Sequence, residues 1–156
     1  MKKDIKYMLE AIQLSLYSIN HKGGPFGAII IKDDKIIGKG HNKVVIENDP
    51  TAHAEIIAIR DACKNLNTFD LSGCELYSIC QPCPMCLSAI YWSNIEKVYY
   101  ANTKEDAGNI GFRDDFIYKE LSKPDNKKSI KFNCIPLKEA QEVFDIWKNK
   151  KDKIKY

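Results

Sequence analysis

The sequence reads His53-Ala54-Glu55 at one point and Pro82-Cys83-Pro84-Met85-Cys86 further along. Cys83 and Cys86 are three residues apart where a helix is predicted to begin, so their side chains share one face of it. Pro84 supports that helix start, because proline is common at the first helical position. His53 stands at the start of a second predicted helix. A fold in which these two helix starts meet places one imidazole and two thiols around a single point.

These residue types predict a zinc site of the kind that performs chemistry. Zinc binds thiolate and imidazole, and a catalytic site keeps three protein ligands and leaves one position for water. We therefore predict one zinc ion per subunit, held by His53, Cys83 and Cys86. Glu55 is not needed as a ligand, and a carboxylate beside such a water can move its protons. Because Glu55 lies roughly 200° around the helix from His53, the end of that helix must point into the site.

Other interpretations of the cysteines stay open at this point. A C-x-x-C pair alone is also found in structural zinc ribbons and in redox dithiols. A ribbon needs a second ligand pair, and Cys63 with Cys74 has the wrong spacing. Cys80 extends the run to three cysteines, but we predict it as a buried thiol at a strand end. His21 and His41 lack a paired ligand and are predicted at a loop or a strand end.

Composition indicates an ordinary globular chain of 156 residues, with 44% hydrophobic and 29% charged residues. No apolar run approaches the ~20 residues that span a bilayer, and the N-terminus lacks the apolar core of a signal peptide. We therefore predict a cytoplasmic protein with no membrane partner. Disulfides are rare in that compartment, so Cys63, Cys74 and Cys134 are predicted to be small buried hydrophobic residues.

The charge balance gives little support for a nucleic-acid partner. The net charge is only +3, although lysines collect near the end of the chain at 148–155. Interleaved Asp152 favours a solvated tail over an RNA-binding patch.

Hydrophobic periodicity predicts helices that alternate with strands. Helices are expected at 4–20 with Asp4 as N-cap, at 51–66 with Thr51 as candidate cap, and at 84–94, 113–121 and 137–150. Strands are expected at 26–32 and 35–42, which form a hairpin around Asp33-Asp34, and at 74–79, 96–101 and 129–135, the last being a strand or an extended segment.

This order of elements predicts an α/β fold, a three-layer α/β/α sandwich with a five-stranded mixed sheet. An antiparallel hairpin opens the sheet, and crossover connections continue it. The sequence contains no linker, internal repeat or low-complexity segment, so we predict a single domain over 1–156.

The chain resembles the cytidine deaminase-like superfamily, in which H-x-E…P-C-x-x-C marks zinc-dependent deaminases. The resemblance rests on PTAHAEIIAIR (50–60), QPCPMCLSAIYW (81–92) and the GGPFGAIII strand (23–31) with Asn42 downstream. Within the superfamily it is similar to the small bacterial guanine deaminases, on NDPTAHAE (48–55), on AGNIGFRDDFIYKEL (107–121) and on the terminal Tyr156. The similarity covers essentially the whole chain.

This resemblance implies hydrolytic deamination of guanine to xanthine and ammonia, in purine catabolism or salvage. His53, Cys83 and Cys86 would bind zinc, and Glu55 would be the catalytic proton shuttle. It also implies a homodimer in which residues from about 110 to 156 are swapped, so that Phe112, Asp114 and Tyr156 enter the partner's site. The substrate-binding residues implied are Phe26, Asn42, Ala54, Trp92, Phe112, Asp114 and Tyr156.

Two positions depart from the family pattern. Gln81 stands where glutamate is common before Pro-Cys, and Arg113 replaces an acidic residue beside Asp114. Both leave the predicted zinc ligands intact but leave the preferred base open.

Rival functions remain at this stage. They are deamination of adenosine in tRNA, deamination of another base or nucleoside such as guanosine or cytosine, and a catalytically silent zinc-binding or nucleic-acid-binding module. Glu55 argues against the last, because a structural site needs no spare acid.

Overall fold

The computed structural model describes residues 2–112 and 114–156. The chain divides into two compact units, a larger one that ends at Phe116 and a smaller one, Ile117–Tyr156. The described elements are, in order, α1 (Lys2–Asn20), β1 (Gly27–Lys32), β2 (Lys35–His41), α2 (Val44–Glu47), α3 (Ala54–Leu66), β3 (Glu75–Cys80), α4 (Pro84–Trp92), β4 (Lys97–Asn102), α5 (Lys104–Asn109), α6 (Asp115–Leu121), a 3₁₀ helix (Asp125–Lys127) and α7 (Lys138–Asn149). The sequence did not predict α2, α5 or the 3₁₀ helix.

The first helix is present as predicted, but its start differs. It begins at Lys2, so Asp4 lies in the first turn and is not the N-cap. Asp4 instead accepts a hydrogen bond at 2.9 Å from the hydroxyl of Tyr77 on β3. Neither α1 nor any other described helix is long and apolar enough to cross a membrane.

The sheet begins with the predicted hairpin. β1 and β2 pair antiparallel, and Asp33 and Asp34 form the turn with positive φ angles of 46° and 63°. Both values suit the tight turns whose twist matches that of the flanking strands. β1 also pairs antiparallel with β3, and β3 pairs parallel with β4 after the crossover through α4. The strand order is β2-β1-β3-β4.

The predicted fifth strand is wrong, because the described chain forms a four-stranded mixed sheet. Residues 129–135 alternate between polar and apolar side chains, yet the structure contains no strand there and leaves every one of them exposed. A strand is maintained by backbone hydrogen bonds to a neighbour, and this segment pairs with no strand of the described chain. β4 is therefore the outer strand of the sheet.

Helices cover both faces of the sheet, as predicted. On one face, Tyr7 of α1 packs with Ile29, Ile31 and Tyr77. On the other face, a larger cluster joins α3 and the start of the α4–β4 connection to the sheet. Its buried members are Ala28, Ile30, Ala54, Ala58, Ala62, Leu71, Cys74, Leu76, Ile90 and Ile95.

Helix α3 lies unusually close to β2, because glycines face it. A Cβ atom on Gly38 would lie 2.4 Å from the carbonyl oxygen of Ala58, and one on Gly40 would lie 2.1 Å from that of Ala54. Backbone atoms fill the space that side chains would need. This close packing fixes the position of α3, whose first turn carries His53 and Glu55.

The smaller unit contains no buried side chain among its residues. Its predicted last helix is confirmed as α7, an amphipathic helix. Val143, Phe144 and Trp147 lie on one side of it and are 60%, 72% and 46% exposed.

We predict that Gly40→Ala destabilises the protein by about 1–3 kcal/mol, the usual range for overpacking a tight core. The added methyl group would collide with the Ala54 carbonyl and push α3 away from β2. Urea unfolding followed by circular dichroism measures the change. Gly108→Ala is the control, because no heavy atom lies within 4 Å of the added Cβ in α5. Equal free energies of unfolding for the two variants would contradict the packing argument.

Candidate metal centre and active site

Two helix N-termini converge at the predicted zinc ligands. His53 is the N-cap of α3 and Cys83 the N-cap of α4, both with extended backbone. Pro84 opens α4 as predicted. Thr51, the predicted cap of α3, instead donates its backbone N–H and its hydroxyl to Oδ1 of Asp49 at 2.8 and 2.7 Å. The imidazole of His53 makes no capping hydrogen bond and points toward the cysteines.

The three predicted ligands lie at the separations that zinc requires. Nδ1 of His53 is 3.6 Å from Sγ of Cys83 and 3.5 Å from Sγ of Cys86. All three ligand atoms lie within 4.8 Å of one another. Zn–N bonds of ~2.0 Å and Zn–S bonds of ~2.3 Å at tetrahedral angles place nitrogen and sulfur about 3.5 Å apart. The residues present therefore fit a zinc ion and leave its fourth position free.

Glu55 lies in the first turn of α3 and turns its carboxylate inward. It is buried, with 5% of its surface exposed. Its Oε1 accepts a hydrogen bond at 3.0 Å from the hydroxyl of Ser78, and Oε2 lies 3.4 Å from Sγ of Cys86. The end of α3 thus points into the site, as the angular argument requires, and it brings His53 and Glu55 to the same pair of sulfurs.

Burial and hydrogen bonding set the charges in this cluster. Burial raises the pKa of Glu55 above its ordinary value. The hydrogen bond from Cys86, with help from His53, lowers the pKa of Cys83 to about 4, whereas the same bond and burial raise the pKa of Cys86. A zinc ion would bind both cysteines as thiolates.

The other cysteines stay outside this cluster. Cys80 ends β3, is buried, and donates its thiol to the carbonyl of Thr103 at 3.6 Å. This confirms it as a buried strand-end thiol. Cys74 is buried and Cys63 is half-buried, while Cys134 is exposed, so the prediction of a buried Cys134 is wrong. All these cysteines are free.

Asn42 is buried, and its side-chain amide is held by the backbone. Its Oδ1 accepts hydrogen bonds from the N–H groups of Gly24 at 3.2 Å and Val44 at 3.3 Å. The hydroxyl of Ser18 donates to its main-chain carbonyl at 3.1 Å. Two donors on Oδ1 orient the amide so that its NH₂ group is the part left to meet a ligand.

Two of the predicted substrate-binding aromatic residues contact each other. The rings of Phe26 and Phe112 meet edge to face, with centroids 4.8 Å apart. The carboxyl of Asp114 has its pKa raised by partial burial and by the negative charge of Cys83. That Phe112 and Asp114 enter a partner's site stays a prediction.

Three other predicted substrate contacts, Ala54, Trp92 and Tyr156, stay predictions. Ala54 has no exposed surface and packs its side chain in the core. Trp92 ends α4, six residues after Cys86, which corresponds to about 9 Å along the helix. It is 67% exposed, and the slot expected between Phe26 and Trp92 stays a prediction. Tyr156 belongs to the smaller unit and is 81% exposed.

Gln81 and Arg113 are the two departures from the family pattern. Oε1 of Gln81 accepts a hydrogen bond from the backbone N–H of Lys104 at 3.4 Å. Arg113 lies outside the described residues.

Ser78 is a candidate functional residue that the sequence did not predict. The available signal was weak: it is a single serine within the apolar run of strand β3, whose sequence is ELYSIC.

The family comparison agrees with this geometry. Residues 1–102 match the model of the cytidine and deoxycytidylate deaminase zinc-binding region. The chain belongs to this family of zinc-binding deaminases.

Individual members of the family are similar to this chain. The chain is 47% identical to the guanine deaminase of Bacillus subtilis over 96% of its own length and 97% of that protein. The X-ray structure of guanine deaminase from Bacillus subtilis superposes with a TM-score of 0.94 at 47% identity and covers 97% of both chains. The tRNA-specific adenosine deaminase of Aquifex aeolicus is 43% identical over 76% of each chain.

We predict that Cys86→Ser weakens zinc binding by more than about 100-fold. Loss of an outer-shell partner alone costs 10–100-fold, and serine is a poor substitute for a thiolate ligand. Zinc per chain is measured by elemental analysis after dialysis against a chelator. Cys80→Ala is the matched control, because its thiol bonds to Thr103 and not to the ligand trio. Loss of zinc from the Cys80 variant, with zinc retained by Cys86→Ser, would refute the assignment.

Proposed function

We propose that the chain is a guanine deaminase, which hydrolyses guanine to xanthine and ammonia. The observation that carries the proposal is a buried, non-ligand carboxylate, Glu55, beside a three-ligand zinc site. The choice of guanine is supported by similarity to the Bacillus subtilis enzyme along nearly the whole chain. A cytoplasmic location and a role in purine catabolism or salvage stay predictions.

The proposed chemistry assigns the proton transfers to Glu55. When bound by His53, Cys83 and Cys86, zinc lowers the pKa of a coordinated water toward ~7 and so makes hydroxide available at neutral pH. Glu55 takes one proton from the attacking water and gives it to the ring nitrogen next to carbon 2. It then carries the second proton of the water from the new hydroxyl group to the amine on carbon 2. The C–N bond breaks, and ammonia leaves.

Asn42 and Asp114 are proposed to select the base. The NH₂ group of Asn42 donates to an acceptor on the base, because backbone amides already occupy its Oδ1. The carboxylate of Asp114 accepts from the N–H groups of a guanine edge. A base that leaves such a buried group unpaired loses roughly 1–3 kcal/mol, which shape alone does not supply. The rings of Phe26 and Phe112 are proposed to line the binding slot.

The remaining substrate contacts keep the status of predictions. Ala54 is proposed to contribute through its backbone at the start of α3, because the residue belongs to the buried core cluster. Trp92 and Tyr156 are proposed to act between subunits.

We also propose a homodimer in which residues from about 110 to 156 are swapped. Most apolar residues of 117–156 are exposed, including Phe144, Trp147 and Tyr156, and Tyr118 is half-buried. The outer helix α1 also exposes a stripe of apolar residues at helical spacing, Ile5, Leu9, Leu16 and Ile19. A second copy would cover such surfaces, and its Tyr156 would close the site.

The dimer predicts that Phe144→Glu yields monomers. A charge at the centre of the apolar side of α7 opposes burial. Light scattering coupled to size exclusion measures the mass. Asn149→Glu adds the same charge about 140° around the helix from Phe144 and should leave a dimer. A monomeric wild-type protein, or a dimeric Phe144 variant, would refute the proposal.

We predict that the zinc-loaded protein releases ammonia from guanine and leaves a product with the ultraviolet spectrum of xanthine. Glu55→Gln should lower kcat by at least about 10²–10⁴-fold, the usual contribution of a positioned acid–base group. It should keep zinc and fold, because the amide has nearly the same shape. Ammonia release under saturating guanine measures kcat.

The same assay separates the alternatives. Guanosine, adenine, cytosine and cytidine are offered beside guanine, and adenosine-containing tRNA is tested for inosine. Turnover of tRNA adenosine without turnover of guanine would overturn the choice of substrate. Full activity of Glu55→Gln would overturn the mechanism.

A further inference from the structure

We infer that Ser78 is a positioning residue for the proton transfers, acting by fixing the carboxylate of Glu55 through a hydrogen bond from the sheet. This inference rests on the proposed deaminase function. It adds a residue that makes no direct contact with the metal ligands and that belongs to neither of the two signature motifs.

Burial of the Ser78 hydroxyl in this strand would cost free energy if the hydroxyl had no hydrogen-bond partner. Residues alternate along β3, so Ser78 faces the same side of the sheet as Leu76, which belongs to the core against α3. Ser78 is 1% exposed and pairs with Ala28 on β1 and Tyr100 on β4. A hydroxyl in such a place needs a hydrogen-bond partner to offset its desolvation. Its partner here is Glu55.

The hydrogen bonds around Ser78 have a defined direction. The backbone N–H of Cys80 points at Oγ of Ser78 from 3.5 Å, so this oxygen already has a donor. Its own proton is then directed to Oε1 of Glu55, which lies 3.0 Å away. An ionised carboxylate is a pure acceptor. Ser78 is thus held as donor and Glu55 as acceptor.

The bond makes the two oxygens of Glu55 unequal. Oε1 is tied to the sheet through Ser78, whereas Oε2 lies 3.4 Å from Sγ of the ligand Cys86. Rotation of the carboxylate about its last side-chain bond would exchange them. Since terminal rotations of this kind are broad and weakly restricted, an external hydrogen bond is what keeps Oε2 toward the metal ligands. The oxygen that shuttles protons therefore stays at one place during the reaction.

The test compares four variants under saturating and limiting guanine. Ser78→Ala should lower kcat about 10–100-fold, the range for loss of an outer-shell partner, while KM stays within about twofold. Ser78→Thr keeps the hydroxyl and adds a methyl group, and Ser78→Val has the shape of Thr without the hydroxyl. We expect kcat to be restored toward wild type in Thr and lost in Val. Ser93→Ala, a control that removes another buried serine hydroxyl, should leave kcat unchanged, because its partner is the carbonyl of Ile90.

Each outcome decides one question. Wild-type kcat in both Ala and Val, with zinc retained, overturns the role of Ser78. A rise in KM that equals the fall in kcat/KM overturns it too, because the residue would then serve binding alone. Equal losses in Thr and Val assign the effect to packing and also overturn it. A wild-type protein that releases no ammonia from guanine is a failure of the proposed function and is distinct from all of these.

Discussion

The site depends on the meeting of two helix N-termini at the distance set by metal–ligand bonds. His53 and Cys83 are both N-caps, and the first turn of each helix carries unpaired N–H groups and partial positive charge. This charge favours a thiolate and a carboxylate in the same small volume. The packing that holds the two helices at this distance lies outside the site. Gly38 and Gly40 let β2 approach the backbone of α3, and the end of β3 leads directly into Pro84.

The tight α3–β2 contact therefore has a chemical consequence. The distances from Nδ1 of His53 to the two sulfurs are 3.6 and 3.5 Å. Both lie within about 0.1 Å of the nitrogen–sulfur separation at a tetrahedral zinc ion. A shift of the helix by one methyl radius would exceed that tolerance many times over. Gly38 and Gly40 thus support the metal site, although neither offers a ligand atom.

The ligands and Glu55 were predictable because their roles require particular residue types at fixed spacing along the chain. The cap of α3 was not, since propensity favours Thr51 and the imidazole of His53 takes the position for its contact with the sulfurs. The prediction of a fifth strand was wrong for another reason. Alternating polar and apolar residues in 129–135 favour extended backbone, but a strand also needs a neighbouring strand to pair with. Ser78 and the contact between Phe26 and Phe112 connect residues distant in sequence. No local pattern reports such contacts.

The smaller unit raises a question of stability that bears on assembly. A segment with no buried side chain has no core, and a helix such as α7 gains most of its stability from packing an apolar side. Its exposed Phe144 and Trp147 therefore argue for a partner surface, and the same chain leaves an apolar stripe on α1 and the outer strand β4 uncovered. In a twofold dimer, the segment of each copy would cover the apolar surface of the other. Each surface would then have one segment to cover it, as a closed twofold assembly requires. Tyr156 lies in that segment. Dimer formation would then order the last residues and close the site in the same step. Catalysis would therefore depend on protein concentration.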